Sequence, residues 1–129
     1  VRDERPRKCG GCGVEPSVQK SSYCYRCGRD AHLRRKYGIS VDEYDSLLAA
    51  QSGRCASCGC APPQSYSRSP ATGYRLGPKI ALDVDHNHAT GKIRGLLCNR
   101  CNRCNRGLGV FEDSPERLRL AAAYLERTA

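Results

Sequence analysis

The chain has 129 residues, which bounds it to one compact unit or two very small ones. It holds one Phe, no Trp and no Met, too little apolar bulk for a generous core, so staples are expected, and ten cysteines supply them. The net charge of +9 suits a polyanionic partner such as nucleic acid, and no run is long or apolar enough to cross a membrane.

The opening "VRDERPRK" is charged and polar, unlike a secretory signal. The cysteines cluster as CxxC pairs, a poor spacing for structural disulfides and a good one for zinc, which implies a reducing, intracellular and cytoplasmic setting. Cys9, Cys12, Cys24 and Cys27 form a first set. Four thiolates leave no open coordination position, so zinc there is expected to be structural. The spacing predicts a helix over Arg29 to Tyr37, closed by Gly38. Arg34, Arg35 and Lys36 near its end either favour the helix dipole or touch phosphates. Residues 1–38 read as a zinc knuckle with a basic helix, and 39–129 as a second unit.

In "SVDEYDSLLAAQSG", Ser40 and Glu43 make a capping box, Tyr44, Leu47 and Leu48 share a face, and Gly53 lies past the end. Cys55 and Cys58 follow, with Cys60 nearby. Residues 62–79 show little periodicity and read as a loop insertion; Tyr66, Arg68, Tyr74 and Arg75 either reach DNA there or belong to a mobile loop. "IALDVDH" and "IRGLL" are predicted strands joined by the turn "NHATGK". "CNRCNRCNR" reads as a helix closed by Gly107 and Gly109. A last helix opens with Ser114 at the N-cap and Pro115 at N1 and runs to about Arg127, with Leu118, Ala121, Ala122 and Leu125 as its buried stripe.

A second zinc shared by Cys55, Cys58, Cys98 and Cys101 would pin both ends of a strand–turn–strand–helix unit. At its centre stand Asp85, His86 and His88, joined by an asparagine from the helix. Carboxylate and amide oxygens suit Mg²⁺ or Mn²⁺, and a histidine kept off the metal can take a proton from water near neutral pH. Together these parts describe phosphodiester hydrolysis. In an ideal strand, Asp85 and His86 point to opposite faces, so serving one site requires the strand to end or bend there. The repeated triplet leaves two registers. Either Cys98 and Cys101 bind zinc with Asn102 at the catalytic metal, or Cys101 and Cys104 bind zinc with Asn105 in that role. The first is preferred, because it places the extra triplet at the free helix end rather than between hairpin and metal.

"VDHNHATGKIRGLLCNRCN", Val84 to Asn102, resembles the core of the recombination endonuclease VII family, HNH-type nucleases with a ββα-metal (His-Me finger) fold. "YGISVDEYDSLLAAQSGRCASCG" resembles the segment before that core, and "GLGVFEDSPERLRLAAAYLE" the segment after it. The resemblance implies an α+β fold: a small zinc-stapled ββα-metal core with flanking helices and an N-terminal zinc knuckle. It implies Asp85 and Asn102 as ligands of Mg²⁺ or Mn²⁺, His86 as general base, and His88 positioning the phosphate or the metal's surroundings. Cys55, Cys58, Cys98 and Cys101 would hold structural zinc. The implied activity is a metal-dependent DNA endonuclease leaving a 5′-phosphate and a 3′-hydroxyl, from a phage or mobile element acting in a bacterial host. A homodimer is compatible with this reading.

Plainer readings stand beside it. Asp85 and His88 could cap the turn through side-chain hydrogen bonds. Arg94 binds either phosphate or an acidic neighbour. Arg100, Arg103 and Arg106 would form a basic helical stripe that tracks a DNA backbone or is solvated. A non-catalytic zinc-finger DNA-binding or adaptor protein would keep the cysteines and the basic surface but have no use for Asp85 and His86.

Overall fold

The computed structural model describes residues 7–14, 22–61, 66–68, 75–78, 82–99 and 103–129. Its first helix, α1 (Tyr25–Tyr37), starts one turn earlier than the periodicity predicts. The cause is Cys24, whose sulfur accepts the Cys27 N–H and serves as N-cap. Gly38 closes the helix at φ 73° and donates to the Arg34 carbonyl. The second helix, α2 (Val41–Ala50), has the expected capping box between Ser40 and Glu43.

Asp30 fixes the angle between these helices. Its carboxylate accepts the Val41 N–H at 2.8 Å and Arg34 Nε at 2.7 Å. Arg26 adds ion pairs to Asp42 and Asp45 across the exposed side of the same junction. Leu33 of α1 and Val41 and Tyr44 of α2 then meet Leu82, Val84, Leu96 and Leu97 in one small core. The Tyr44 hydroxyl donates to the Leu82 carbonyl at 2.7 Å, and the Arg29 guanidinium lies 4.2 Å from the Tyr44 ring centroid.

Leu82 and Val84 belong to β3 (Leu82–His86), which pairs antiparallel with β4 (Ile93–Cys98). The predicted strands are therefore present. Gln51 docks α2 and the following knuckle on β4. Its amide accepts the Leu96 N–H at 2.9 Å and donates to the Leu96 carbonyl at 2.9 Å, imitating a neighbouring strand. Gly95 leaves room for it, since a Cβ there would lie 3.2 Å from Gln51 Oε1.

Three expectations need correction. The 62–79 segment carries a short antiparallel ribbon, β1 (Tyr66–Arg68) with β2 (Arg75–Pro78). Strands of three and four residues are too short to display a hydrophobic period. Second, the helix after the hairpin, α3, spans only Cys104–Val110 and runs through Gly107 and Gly109 instead of stopping at them. A helix continuous from Cys98 would carry Cys104 about 9 Å along its axis. Yet the two sulfurs lie within 4.8 Å of each other, closer than such a helix would allow. Arg103 precedes α3 at φ 54°, and only Arg106 of the proposed basic stripe stands on the helix; Arg100 lies outside the described residues.

Third, α4 (Pro115–Thr128) starts at Ser114 and Pro115 as expected but has no buried residue. Leu118 and Ala121 are half-buried, whereas Ala122 and Leu125 are exposed, as are Leu120 and Tyr124. Among the described residues, no helix is long and apolar enough to cross a membrane.

Candidate active site and metal centres

Among the described residues, two groups of four thiols each converge on one point. Cys9, Cys12, Cys24 and Cys27 have their ligand atoms within 4.8 Å of one another, and so do Cys55, Cys58, Cys98 and Cys104. Tetrahedral zinc with Zn–S bonds of about 2.3 Å puts its sulfurs about 3.8 Å apart. The Cys12–Cys24 and Cys58–Cys98 separations are 4.0 and 3.6 Å, so both groups fit zinc.

Within each group the thiols are shifted in opposite directions. The Cys24 backbone N–H, 3.1 Å from Cys9 Sγ, chiefly pulls the Cys9 thiol down to about 6. The neighbouring Cys24 sulfur pushes Cys27 up to about 12, since packed thiols cannot all ionise without a positive charge among them. In the second group, burial opposes ionisation of Cys55, but backbone N–H groups of Cys58, Cys98 and Ser57 outweigh it and lower the thiol. Cys104 is pushed up to about 12, chiefly by burial.

Cys101 and Asn102 lie outside the described residues; the fourth thiol of the described group is Cys104. Asn105 follows it in the first turn of α3, half-buried. Cys60 is disulfide-bonded and belongs to neither group.

The second group anchors the hairpin at Cys98, and the acid–histidine element stands at the other end. There the ladder slips by one residue. Asp85 pairs with Gly95 but His86 pairs with Ile93, which leaves Arg94 as the extra residue of a bulge. The bulge kinks β4, while β3 ends at His86, one of the two ways that Asp85 and His86 could serve one site. The turn is built by Asn87, whose side-chain oxygen accepts the Ala89 and Thr90 N–H groups at 2.8 and 3.1 Å. Asn87 also pairs with Lys92 through its own N–H at 2.8 Å. The capping role considered for Asp85 or His88 thus falls to Asn87.

Asp85 is buried and meets Arg94 in a two-pronged ion pair: Nε to Oδ2 and Nη2 to Oδ1, each 2.8 Å. Arg94 Nη2 reaches Asp113 as well, at 3.0 Å, between α3 and α4. The Asp85 carboxylate raises the guanidinium's already high pKa further. Of the two alternatives for Arg94, the acidic neighbour is the one realised. His86, half-buried, stacks at a tilt on exposed His88 with ring centroids 4.6 Å apart. Its other ring neighbour is Tyr37, the last residue of α1, at 5.6 Å edge-on.

The Asp85 carboxylate is a donor suited to a hard divalent cation, and His86 and His88 follow it at the same hairpin end. In this arrangement both Asp85 oxygens accept from Arg94, so a cation there would meet the positive charge of the guanidinium. Arg103 and Arg106 are exposed at the start of α3. Sequence reasoning did not single out Tyr37, Asn87, Asp113 or Gln51. Only Asn87 carried a local signal, as an Asx residue inside a turn.

The chain is similar to two phage proteins. One is the Gene 59 protein of Mycobacterium phage D29, 37% identical over 98 residues, 76% of this chain and 50% of that protein. The other is the Gene 59 protein of Mycobacterium phage L5, 39% identical over 96 residues, 74% of this chain and 49% of that protein. The chain thus spans about half the length of these curated relatives. No solved structure matches it. The family model for recombination endonuclease VII matches residues 30–127, a span that takes in α1 from Asp30, the second thiol group, the bulged hairpin and α4. On that match the chain belongs to the recombination endonuclease VII family.

Proposed function

We propose that this protein is a metal-dependent DNA endonuclease of the HNH, His-Me finger kind, with β3, β4 and α3 as its ββα core. The observation that carries the reading is the bulge after Asp85. Asp85 and the stacked His86–His88 pair follow one another at this hairpin end, while Asn87 caps the turn.

In this reading, His86 takes a proton from water, and the resulting hydroxide attacks phosphorus in line. His88 positions the scissile phosphate. Mg²⁺ or Mn²⁺, held by Asp85 and by Asn102 or Asn105, would supply stabilisation of the charge on the transferring phosphoryl group and its departing 3′ oxygen. Products would carry a 5′-phosphate and a 3′-hydroxyl. Zinc on the two thiol groups would fold the ends of the molecule and do no chemistry. The basic balance of the chain suits DNA, with Arg103, Arg106 and the Arg34-Arg35-Lys36 run as contact candidates. Residues 1–38 would act as an accessory knuckle and basic helix on a nuclease unit of residues 39–129.

One observation favours a second reading, a non-catalytic zinc-stapled DNA-binding protein: both oxygens of the Asp85 carboxylate accept from Arg94. A plasmid-nicking assay separates the two. Nicking that depends on Mg²⁺ or Mn²⁺ and disappears in Asp85→Asn and His86→Ala supports the nuclease. Wild-type protein that binds DNA and never nicks it supports the second reading.

A further inference from the structure

We propose that Arg94 is a displaceable counter-ion: in the free protein it closes the cation site at Asp85, and it yields when a DNA phosphate arrives to take its guanidinium. This rests on the reading of Asp85 as a ligand of the catalytic metal.

Burial comes first. The Asp85 side chain is 11% exposed, so its negative charge needs a partner at all times. That partner is a guanidinium or a metal cation; each oxygen keeps a second lone pair, but two cations crowded on one carboxylate repel each other, so the two compete. Arg94 engages both oxygens with the two-pronged geometry that makes arginine–carboxylate pairs strong. A divalent ion therefore competes with a bound cation, not with water.

The position of Arg94 suits exchange. As the extra residue of the bulge it owes nothing to the strand register, and its side chain is 36% exposed. Its fork of donors matches a phosphate as well as a carboxylate. Asp113 holds the outer nitrogen from a corner where Glu112 and Asp113 both adopt left-handed backbone, φ 54° and 55°. Two consecutive side-chain-bearing residues in that region make a corner that other contacts must hold in place. A phosphate at the hairpin end would draw Arg94 outward, and the vacated carboxylate would then take the cation.

Net charge works in the same direction. The chain stays positively charged even with eight thiolates holding two zinc ions, which disfavours a further divalent cation until a polyanion is bound. Binding of DNA and binding of metal should therefore strengthen each other by the same factor. The device would keep the site empty away from DNA.

The test is Mn²⁺ binding, read by electron paramagnetic resonance on the full zinc-loaded chain without DNA. Arg94→Gln should bind Mn²⁺ about tenfold more tightly than wild type, within the usual range of such couplings. Adding Asp85→Asn to Arg94→Gln should abolish the gain. Thermal melting and the thiolate absorption of Co²⁺-substituted protein report whether each variant is folded. Should Arg94→Gln fail to fold, Arg94→Lys replaces it; a lysine keeps the charge but cannot grip both oxygens, and Mn²⁺ should again bind more tightly than in wild type. Wild-type or weaker Mn²⁺ affinity in the folded Arg94 variant, with Asp85→Asn still lowering it, overturns the counter-ion and leaves the metal reading intact. Mn²⁺ binding that ignores Asp85→Asn in both backgrounds overturns the metal reading and the counter-ion with it.

Discussion

The ring of Tyr37 meets that of His86 edge-on, with centroids 5.6 Å apart and planes at 64°. The tyrosine ends α1, outside the hairpin that carries the histidine, so the first helix helps to aim the proposed base. Tyr37→Ala should lower the nicking rate about tenfold through misplacement of His86, with DNA affinity unchanged. Tyr37→Phe keeps the ring edge and should nick at nearly the wild-type rate. Initial rates at saturating plasmid, beside gel-shift affinities, check both. Equal losses in the two variants would show that the hydroxyl, not the ring, matters.

His86→Ala should remove cleavage by about 10²-fold or more, the usual scale for a general base, while sparing fold and DNA binding. His88 is exposed and should cost less when replaced. Near-normal nicking by the His86 variant would end its assignment as base.

Metal content distinguishes the thiols. The full chain should hold two zinc ions, one per four-cysteine group. Cys104→Ser should reduce zinc to one per chain, and Cys101→Ser should leave two. Inductively coupled plasma measurement on purified protein decides; the opposite pattern would restore Cys101 as the fourth ligand. The linked pair Asn105→Ala and Asn102→Ala then asks which asparagine cleavage needs. With Cys104 as ligand, Asn105 is the one immediately after the clamp.

Salt dependence tests the basic surface. DNA affinity should fall steeply with salt, and replacing Arg103 and Arg106 with glutamine should flatten the log–log slope by roughly 2, near one unit for each phosphate no longer neutralised. An identical slope in the double variant would mean that both side chains face only solvent.

The sequence was most readable where one residue type has one job. Ser40 with Glu43, Gly38, and Ser114 with Pro115 each announced a helix end, and each stands where predicted. The first thiol group was equally plain from its spacing. Reading failed where geometry depends on distant partners. The start of α1 depends on a cysteine sulfur acting as cap, a role no propensity records. The short α3 follows from two thiols converging on one point, which a local triplet repeat disguises. The stripe of α4 promised burial, yet no residue of that helix is buried. At the candidate site, Asp85 and His86 were legible as a pair, but the bulge that aims Arg94 at Asp85 was not. A register slip belongs to two strands together, and neither strand shows it alone.

The two thiol groups differ in how much chain each must gather. The first closes between residues 15 apart, Cys9 and Cys24, whereas the second joins Cys58 to Cys98, 40 apart. Closing the longer loop costs more chain entropy, though only logarithmically more. Order of synthesis matters further. Chains emerge at about 5–20 residues per second, so the first group is complete and able to capture zinc while the second still lacks its last cysteines. The hairpin that bears Asp85 and His86 also precedes Cys104 in the chain. The proposed catalytic end is thus made before the clamp that fixes it, and a cell short of zinc would accumulate chains with a finished N-terminal knuckle and an unanchored hairpin.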